Sequence, residues 1–173
     1  KRFYASILYN GSPWRGDTVW TYYDPAVNYN SSFFDLNHSH QGTLTGYYFR
    51  KYIDESIVPS EANYYNKPIN STNAILFRLG EIYLNYAEAK NELGTVDADV
   101  LAKLNELRAR GGLSPIPGGL SQSQMRDHIR HERRIELAFE GKRYWDIIRW
   151  KTAETVMNGN LKAMKITKLA GGG

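Results

Sequence analysis

Two hydrophobic periods divide the chain. Residues 3–9, Phe-Tyr-Ala-Ser-Ile-Leu-Tyr, are β-prone, and Asn10-Gly11 with Ser12-Pro13 predicts a turn after them. Residues 45–53 form a second extended candidate. The stretch between them has no clean period and is broken by Asp24-Pro25 and Gly42. Connections of that length inside a compact domain are functional or disordered, and the many aromatics here argue against disorder. From Ser71 the period turns helical. Ile75, Leu79, Ile82, Tyr83, Tyr86 and Lys90 trace one face at steps of three and four, with Asn73 or Ser71 as N-cap and Gly94 closing the helix. A second helix follows Asp97, carries Val100, Leu101, Leu104 and Leu107 inward, and stops at Gly111-Gly112. Ser121-Gln122-Ser123-Gln124 reads as a capping box opening a third helix through Met125, Ile129, Ile135 and Phe139. Gly141 interrupts it, and Tyr144, Ile147, Ile148 and Ala153 continue a fourth.

These spacings predict a mainly α protein. Residues 71–173 form paired helices, and residues 1–70 form an irregular aromatic-rich segment with short strands, within one domain. Short-linked helix pairs bury one-sided faces as tetratricopeptide arrays do, although the literal repeat signature is not matched.

Composition sharpens the division. Of the 23 aromatic residues, 16 fall in residues 1–66, where the charge balance is −1, while the remainder carries +5. No run of 18 apolar residues occurs, and there is no Cys to supply a disulfide, a thiolate ligand or a nucleophile. The chain starts at Lys1 with no leader after it and ends in three glycines, as expected of an internal or C-terminal piece of a longer parent.

Candidate chemistry is sparse. Glu132, Glu136 and Glu140 recur at i, i+4 among Arg130, Arg133 and Arg134. Carboxylates so spaced repel one another, so each is expected to pair with an arginine, either at i+3 (Arg133–Glu136) or on a neighbouring helix. A structural ion network is thus favoured over acid–base catalysis, and no catalytic residue is assigned. The basic cluster around Arg126 and Arg130 is broken by Asp127 and those glutamates, which argues against nucleic acid. His38 with His40, and His128 with His131, lack a third ligand in a recognisable spacing, so neither metal nor cofactor is assigned.

One anomaly remains. Trp14, Trp20, Tyr22 and Tyr23 lie in a loop-like stretch beside Arg15, Asp17, Asp24 and Asn28. Flat rings stack on the apolar face of a pyranose, and neighbouring Asp, Asn and Arg bind its hydroxyls. Aromatic rings also dominate cores, so platform and packing both stand.

The helical part resembles a known family. The runs Arg78-Leu79-Gly80-Glu81-Ile82-Tyr83-Leu84-Asn85-Tyr86-Ala87-Glu88-Ala89 and Leu104-Asn105-Glu106-Leu107-Arg108-Ala109-Arg110 are similar to segments of the SusD/RagB outer-membrane nutrient-binding lipoproteins. The run from Ile129 to Asp146, with His131-Glu132-Arg133-Arg134-Ile135-Glu136 and Gly141-Lys142-Arg143-Tyr144-Trp145-Asp146, resembles that family's most distinctive motif. The resemblance covers roughly residues 2–166. It implies a SusD-like fold in which tetratricopeptide-like helix pairs support an irregular face carrying the ligand site. It also implies a surface-exposed, lipid-anchored, non-enzymatic protein that binds oligosaccharide and delivers it to a TonB-dependent, SusC-like transporter of the outer membrane. The lipid-bearing Cys of the family is absent from this chain. The motif is scaffold rather than site, so Trp14, Arg15, Asp17, Trp20, Tyr22, Tyr23 and Asn28 rest on their chemistry alone. The helix pairs by themselves offer an alternative, a module that binds peptide or protein ligands.

Overall fold

The computed structural model describes residues 1–24, 29–30, 43, 45–57, 72–164 and 166–167, with residues 23, 24, 29 and 30 described by their backbone. The elements are α1 (Arg2–Ser6), β1 (Ile7–Tyr9), β2 (Ser12–Trp14), β3 (Asp17–Val19), β4 (Tyr23–Asp24), β5 (Tyr29–Asn30), β6 (Tyr47–Phe49), α2 (Leu79–Glu92), α3 (Ala98–Arg110), α4 (Gln122–Glu136), α5 (Arg143–Arg149) and α6 (Ala153–Met157). They fall into two compact units. One comprises Lys1–Arg2 and Ala74–Asn158, the other Phe3–Asn73 and Gly159–Gly173. The described elements are mainly α with short strands, as the sequence predicts.

In the helical unit, α2 packs on both α3 and α4. The core is formed by Leu84 and Ala87 of α2, Val100, Leu104 and Leu107 of α3, Met125 and Ile129 of α4, with Ile116 and Leu137 from the flanking turns. Each buried Leu or Ile contributes about 1.5–3 kcal/mol relative to exposure. Local chemistry sets the helix ends. The Asp97 side chain accepts the Val100 N–H at 3.0 Å, and Ser121 with Gln124 completes the expected capping box. Gly94 (φ +72°) follows α2 and donates to the Asn91 carbonyl, closing the helix as expected.

Several sequence expectations are corrected. α2 starts at Leu79, not near Ile75, because Arg78 is extended (φ −150°, ψ 167°) with its guanidinium drawn to Glu136 and Glu140. The buried face of α2 is Gly80, Glu81, Leu84, Ala87 and Asn91, whereas Leu79 is 60% and Ile82 48% exposed. Small residues let α2 approach its neighbours, and a Cβ at Gly80 would meet the Arg78 guanidinium. α4 ends at Glu136, and Phe139 (φ +66°) lies exposed in the turn before Gly141. The fourth helix is two short ones, parted at Lys151 (φ +54°), with Ile147 buried and Tyr144 and Ile148 exposed.

In the aromatic unit, β1 pairs antiparallel with β6, Tyr9 facing Tyr47 and Leu8 facing Tyr48. The extended expectations for residues 3–9 and 45–53 thus meet in one ladder, but residues 2–6 are helical. Tertiary contacts override their β propensity. The Arg50 guanidinium donates to the Tyr4 carbonyl at 2.8 Å, and the Ser6 carbonyl accepts the Arg50 and Lys51 N–H groups. Ser12-Pro13 lies in β2 rather than in the turn, so that Ser12 and Trp14 alternate inward around an exposed Pro13. The small core is Leu8, Trp14 and Val19, with Tyr48 and Ile53 packed against it. At the far end of the chain, Met164 N–H bonds the Thr45 carbonyl at 3.0 Å, and Gly46 (φ +79°) admits the Met164 backbone where any Cβ would clash.

Candidate functional site

The aromatic candidates are placed by one hairpin. β2 and β3 pair antiparallel with Trp14 opposite Asp17, joined by Arg15 (φ +50°) and Gly16 (φ +84°). Two positive φ values in a two-residue loop match the strand twist, and they place a non-glycine in the left-handed region at Arg15. Its side chain is held there, donating to the Asp54 carbonyl at 2.5 Å with the guanidinium 5.0 Å from the Trp14 ring centroid. Arg50 lies over the same ring at 5.6 Å. Trp14 is 2% exposed and offers no ring face to solvent.

Beyond β3 the next three residues alternate in burial. Thr21 is buried, with its N–H bonded to Asn10 Oδ1 at 2.9 Å and its hydroxyl to the Gly46 carbonyl at 3.1 Å. Trp20 and Tyr22 therefore share the other side, their ring centroids 5.9 Å apart and tilted by 60°. Trp20 is 45% exposed and Tyr22 half-buried. Asp17 is exposed and accepts the Thr18 N–H at 2.6 Å. Tyr23 lies in β4, whose backbone pairs with β5, and Asn28 lies outside the described residues. The structure thus brings Trp20 to Tyr22 and, separately, Arg15 to Trp14.

A second ring cluster escapes a reading by sequence. Phe3 lies 5.4 Å from Tyr4, 5.6 Å from Tyr9 and 6.2 Å from Tyr47, and Tyr4 lies 5.6 Å from Tyr9. Phe3 and Tyr4 are exposed. The signal was the β1–β6 register, which single-strand patterns do not carry.

The carboxylates of the helical unit form the expected ion network, with partners on other elements. Glu132 is held by Arg2 at 2.5 Å and Arg108 at 2.8 Å. Glu136 is held by Arg78 at 2.7 Å, Arg2 at 3.0 Å and Arg110, and Glu140 by Arg78 at 2.7 Å. The i+3 option, Arg133–Glu136, is not used. Arg133 instead grips Asp146 with Nε at 2.8 and 2.7 Å and reaches Asn85 at 2.5 Å. Burial pushes the Glu136 carboxyl up, but Arg78, Arg2 and Arg110 more than offset this and hold it below its ordinary value. Burial likewise opposes ionisation of Glu88, and bonds from Arg149 and Trp150 bring it down. A general acid needs the opposite shift. Among the described residues no group of three or more His, Asp or Glu side chains is arranged to hold a metal ion, and no helix is long and apolar enough to cross a membrane.

Similarity to known proteins agrees with this architecture. SusD-like protein P2 of Formosa agariphila is 38% identical over 128 residues, which is 65% of this chain and 25% of that protein. A SusD-like protein from Bacteroides fragilis superposes with a TM-score of 0.69 at 36% identity, over 89% of this chain and 28% of that one. A second B. fragilis structure, described as a SusD-like carbohydrate binding protein, gives a TM-score of 0.68 at 31% identity over 90% of this chain and 29% of its own. The chain therefore spans between a quarter and a third of the length of these relatives. The SusD family model matches residues 1–170, almost from end to end, and with the helix pairs and the Arg78–Glu136–Glu140 network in place the chain belongs to the SusD family.

Proposed function

We propose that this chain is part of a non-catalytic, cell-surface glycan-binding protein and that Trp20 and Tyr22 form a ring platform for a neutral oligosaccharide. The carrying observation is the pairing of two accessible rings on a segment whose intervening residue, Thr21, is anchored inward. Asp17 supplies an exposed carboxylate to accept sugar hydroxyls in this reading. Trp14 and Arg15 act from beneath, as the buried support of the hairpin. Covering one ring face removes on the order of 50 Å², worth about 1 kcal/mol per ring. A millimolar site needs about 4 kcal/mol, so two rings supply half and hydrogen bonds the remainder. The carbohydrate-binding relative supports the ligand class, and the arginine-held carboxylates support the absence of hydrolysis. In the whole protein this module sits on the outer membrane, lipid-anchored, and passes its ligand to a TonB-dependent, SusC-like transporter.

The test is intrinsic Trp fluorescence of the full chain, titrated with a panel of neutral oligosaccharides, beside its Trp20→Ala variant. A saturable response that resists moderate salt and weakens about fivefold in Trp20→Ala is expected. An unchanged affinity in that variant would remove the platform from the site. A response to peptides and to no sugar would turn the reading to a peptide ligand.

A further inference from the structure

The helical unit contains a pocket of about 200 Å³ whose walls include Arg130, His131, Arg134, Arg143 and Trp150. Two of its arginines, Arg130 and Arg143, have an aromatic neighbour in Trp150. Among the described residues, Arg130, Arg134 and Arg143 meet no carboxylate at ion-pair distance, although every other arginine of α4 and α5 does. The nearby acids are already engaged. Asp146 is taken by Arg133 at 2.7 Å and Arg149 at 3.0 Å, and Glu88 by Arg149 at 2.5 Å and the Trp150 indole N–H at 2.6 Å. Arg130 Nε is buried and has no hydrogen-bond acceptor, a costly state for a guanidinium N–H.

The aromatic wall does not change this character. The Arg130 and Arg149 guanidinium groups lie 4.7 and 4.9 Å from the Trp150 centroid, so the ring fixes cations rather than offering a face to a sugar. Burial, then the charge of Arg134, push the Arg143 guanidinium below its ordinary pKa, with Asp146 acting in the other direction. The volume lies below the roughly 300–1,000 Å³ of sites that enclose drug-sized ligands, so it suits a small group.

We infer that this pocket is an oxyanion site, in which Arg130, Arg134 and Arg143 bind a phosphate or sulfate group, either free or as a monoester on a larger molecule. Guanidinium forks match two oxygens of such a group at once, and His131 adds a further donor. The inference is independent of the sugar platform, since it uses other residues in the other unit.

Calorimetric titration of the full chain with sodium phosphate and sodium sulfate, against sodium chloride of equal ionic strength, tests it. Saturable heats with both oxyanions and none with chloride are expected, with affinity falling more than about tenfold in the combined Arg130→Gln, Arg134→Gln, Arg143→Gln variant. If that variant fails to fold, Arg143→Gln alone, with its circular dichroism unchanged, is expected to weaken binding several-fold. Tighter binding of glucose 6-sulfate than of inorganic sulfate would support the site and assign its source to a glycan substituent. Binding to vesicles containing phosphatidylglycerol that is lost in the variant would support it as a lipid-headgroup site. Oxyanion heats no larger than those of chloride, or equal binding by wild type and variants, would overturn it.

Discussion

The two units solve the problem of burying a face in different ways. The helical unit gathers nine described apolar side chains into one buried cluster and threads buried ion pairs between its elements, so much of its polar chemistry holds it together. Among the described residues of the aromatic unit, Leu8, Trp14 and Val19 form a small buried cluster, and rings such as Phe3, Tyr4 and Trp20 lie in solvent. The helical unit exposes rings too, Phe77, Tyr144 and Trp145 among them, so what sets the Trp20 region apart is the pairing of its rings beside few charges, whereas charge in the helical unit mostly marks scaffold. The cationic pocket at Arg130 and Arg143 is the exception.

That contrast can be broken first where it is strongest. Arg133→Ala should cost about 3 kcal/mol in urea unfolding, because it takes away the buried partner of the Asp146 carboxylate and leaves it only the half-exposed Arg149. Loss below about 1 kcal/mol would mean that the network is decoration. Leu104→Ala should cost about 2–5 kcal/mol through the cavity it leaves. In the aromatic unit, Trp14→Ala is expected to lose stability on the scale of about 3–5 kcal/mol, whereas Trp20→Ala changes stability by no more than about 0.5 kcal/mol. Similar losses for both tryptophans would erase the division into support and surface. Replacing the cap in Ser121→Ala should cost about 1 kcal/mol in the same assay.

Acid offers a gentler probe. The folded pKa of Glu136 is depressed, so its contribution is present above the unfolded value of about 4.3 and is lost as pH falls through the folded value. Stability should therefore decline on acidification below about pH 5, and Glu136→Gln should flatten that decline. A slope identical to that of the parent would assign acid sensitivity to other carboxylates, Glu88 among them.

Much of the helical unit was legible because its signals are local. Asp97, Ser121 and Gln124 act within one turn, and Val100, Leu104 and Leu107 repeat at helical steps. The face of α2 was misread because large apolar residues, Leu79 and Ile82, suggested one stripe while the close approach of neighbours chose Gly80, Leu84 and Ala87. The ion network follows the neighbouring-helix expectation at Arg108 and Arg110 and not the i+3 one, while Arg2 and Arg78, which reach carboxylates far along the sequence, were not foreseen. In the candidate site, composition weighs Trp14 and Trp20 equally. Hairpin register separates them, turning Trp14 inward opposite Asp17 and leaving Trp20 past the end of β3.

The Met164–Thr45 bond gives the chain an order of assembly. The aromatic unit is assembled from residues on both sides of the helical one, which occupies Ala74–Asn158. During synthesis Met164 can reach Thr45 only after Ala74–Asn158 has been made, so this bond closes late. The β1–β6 ladder and the β2–β3 hairpin use no residue beyond Phe49, so they are free to pair while the helical unit is still being made.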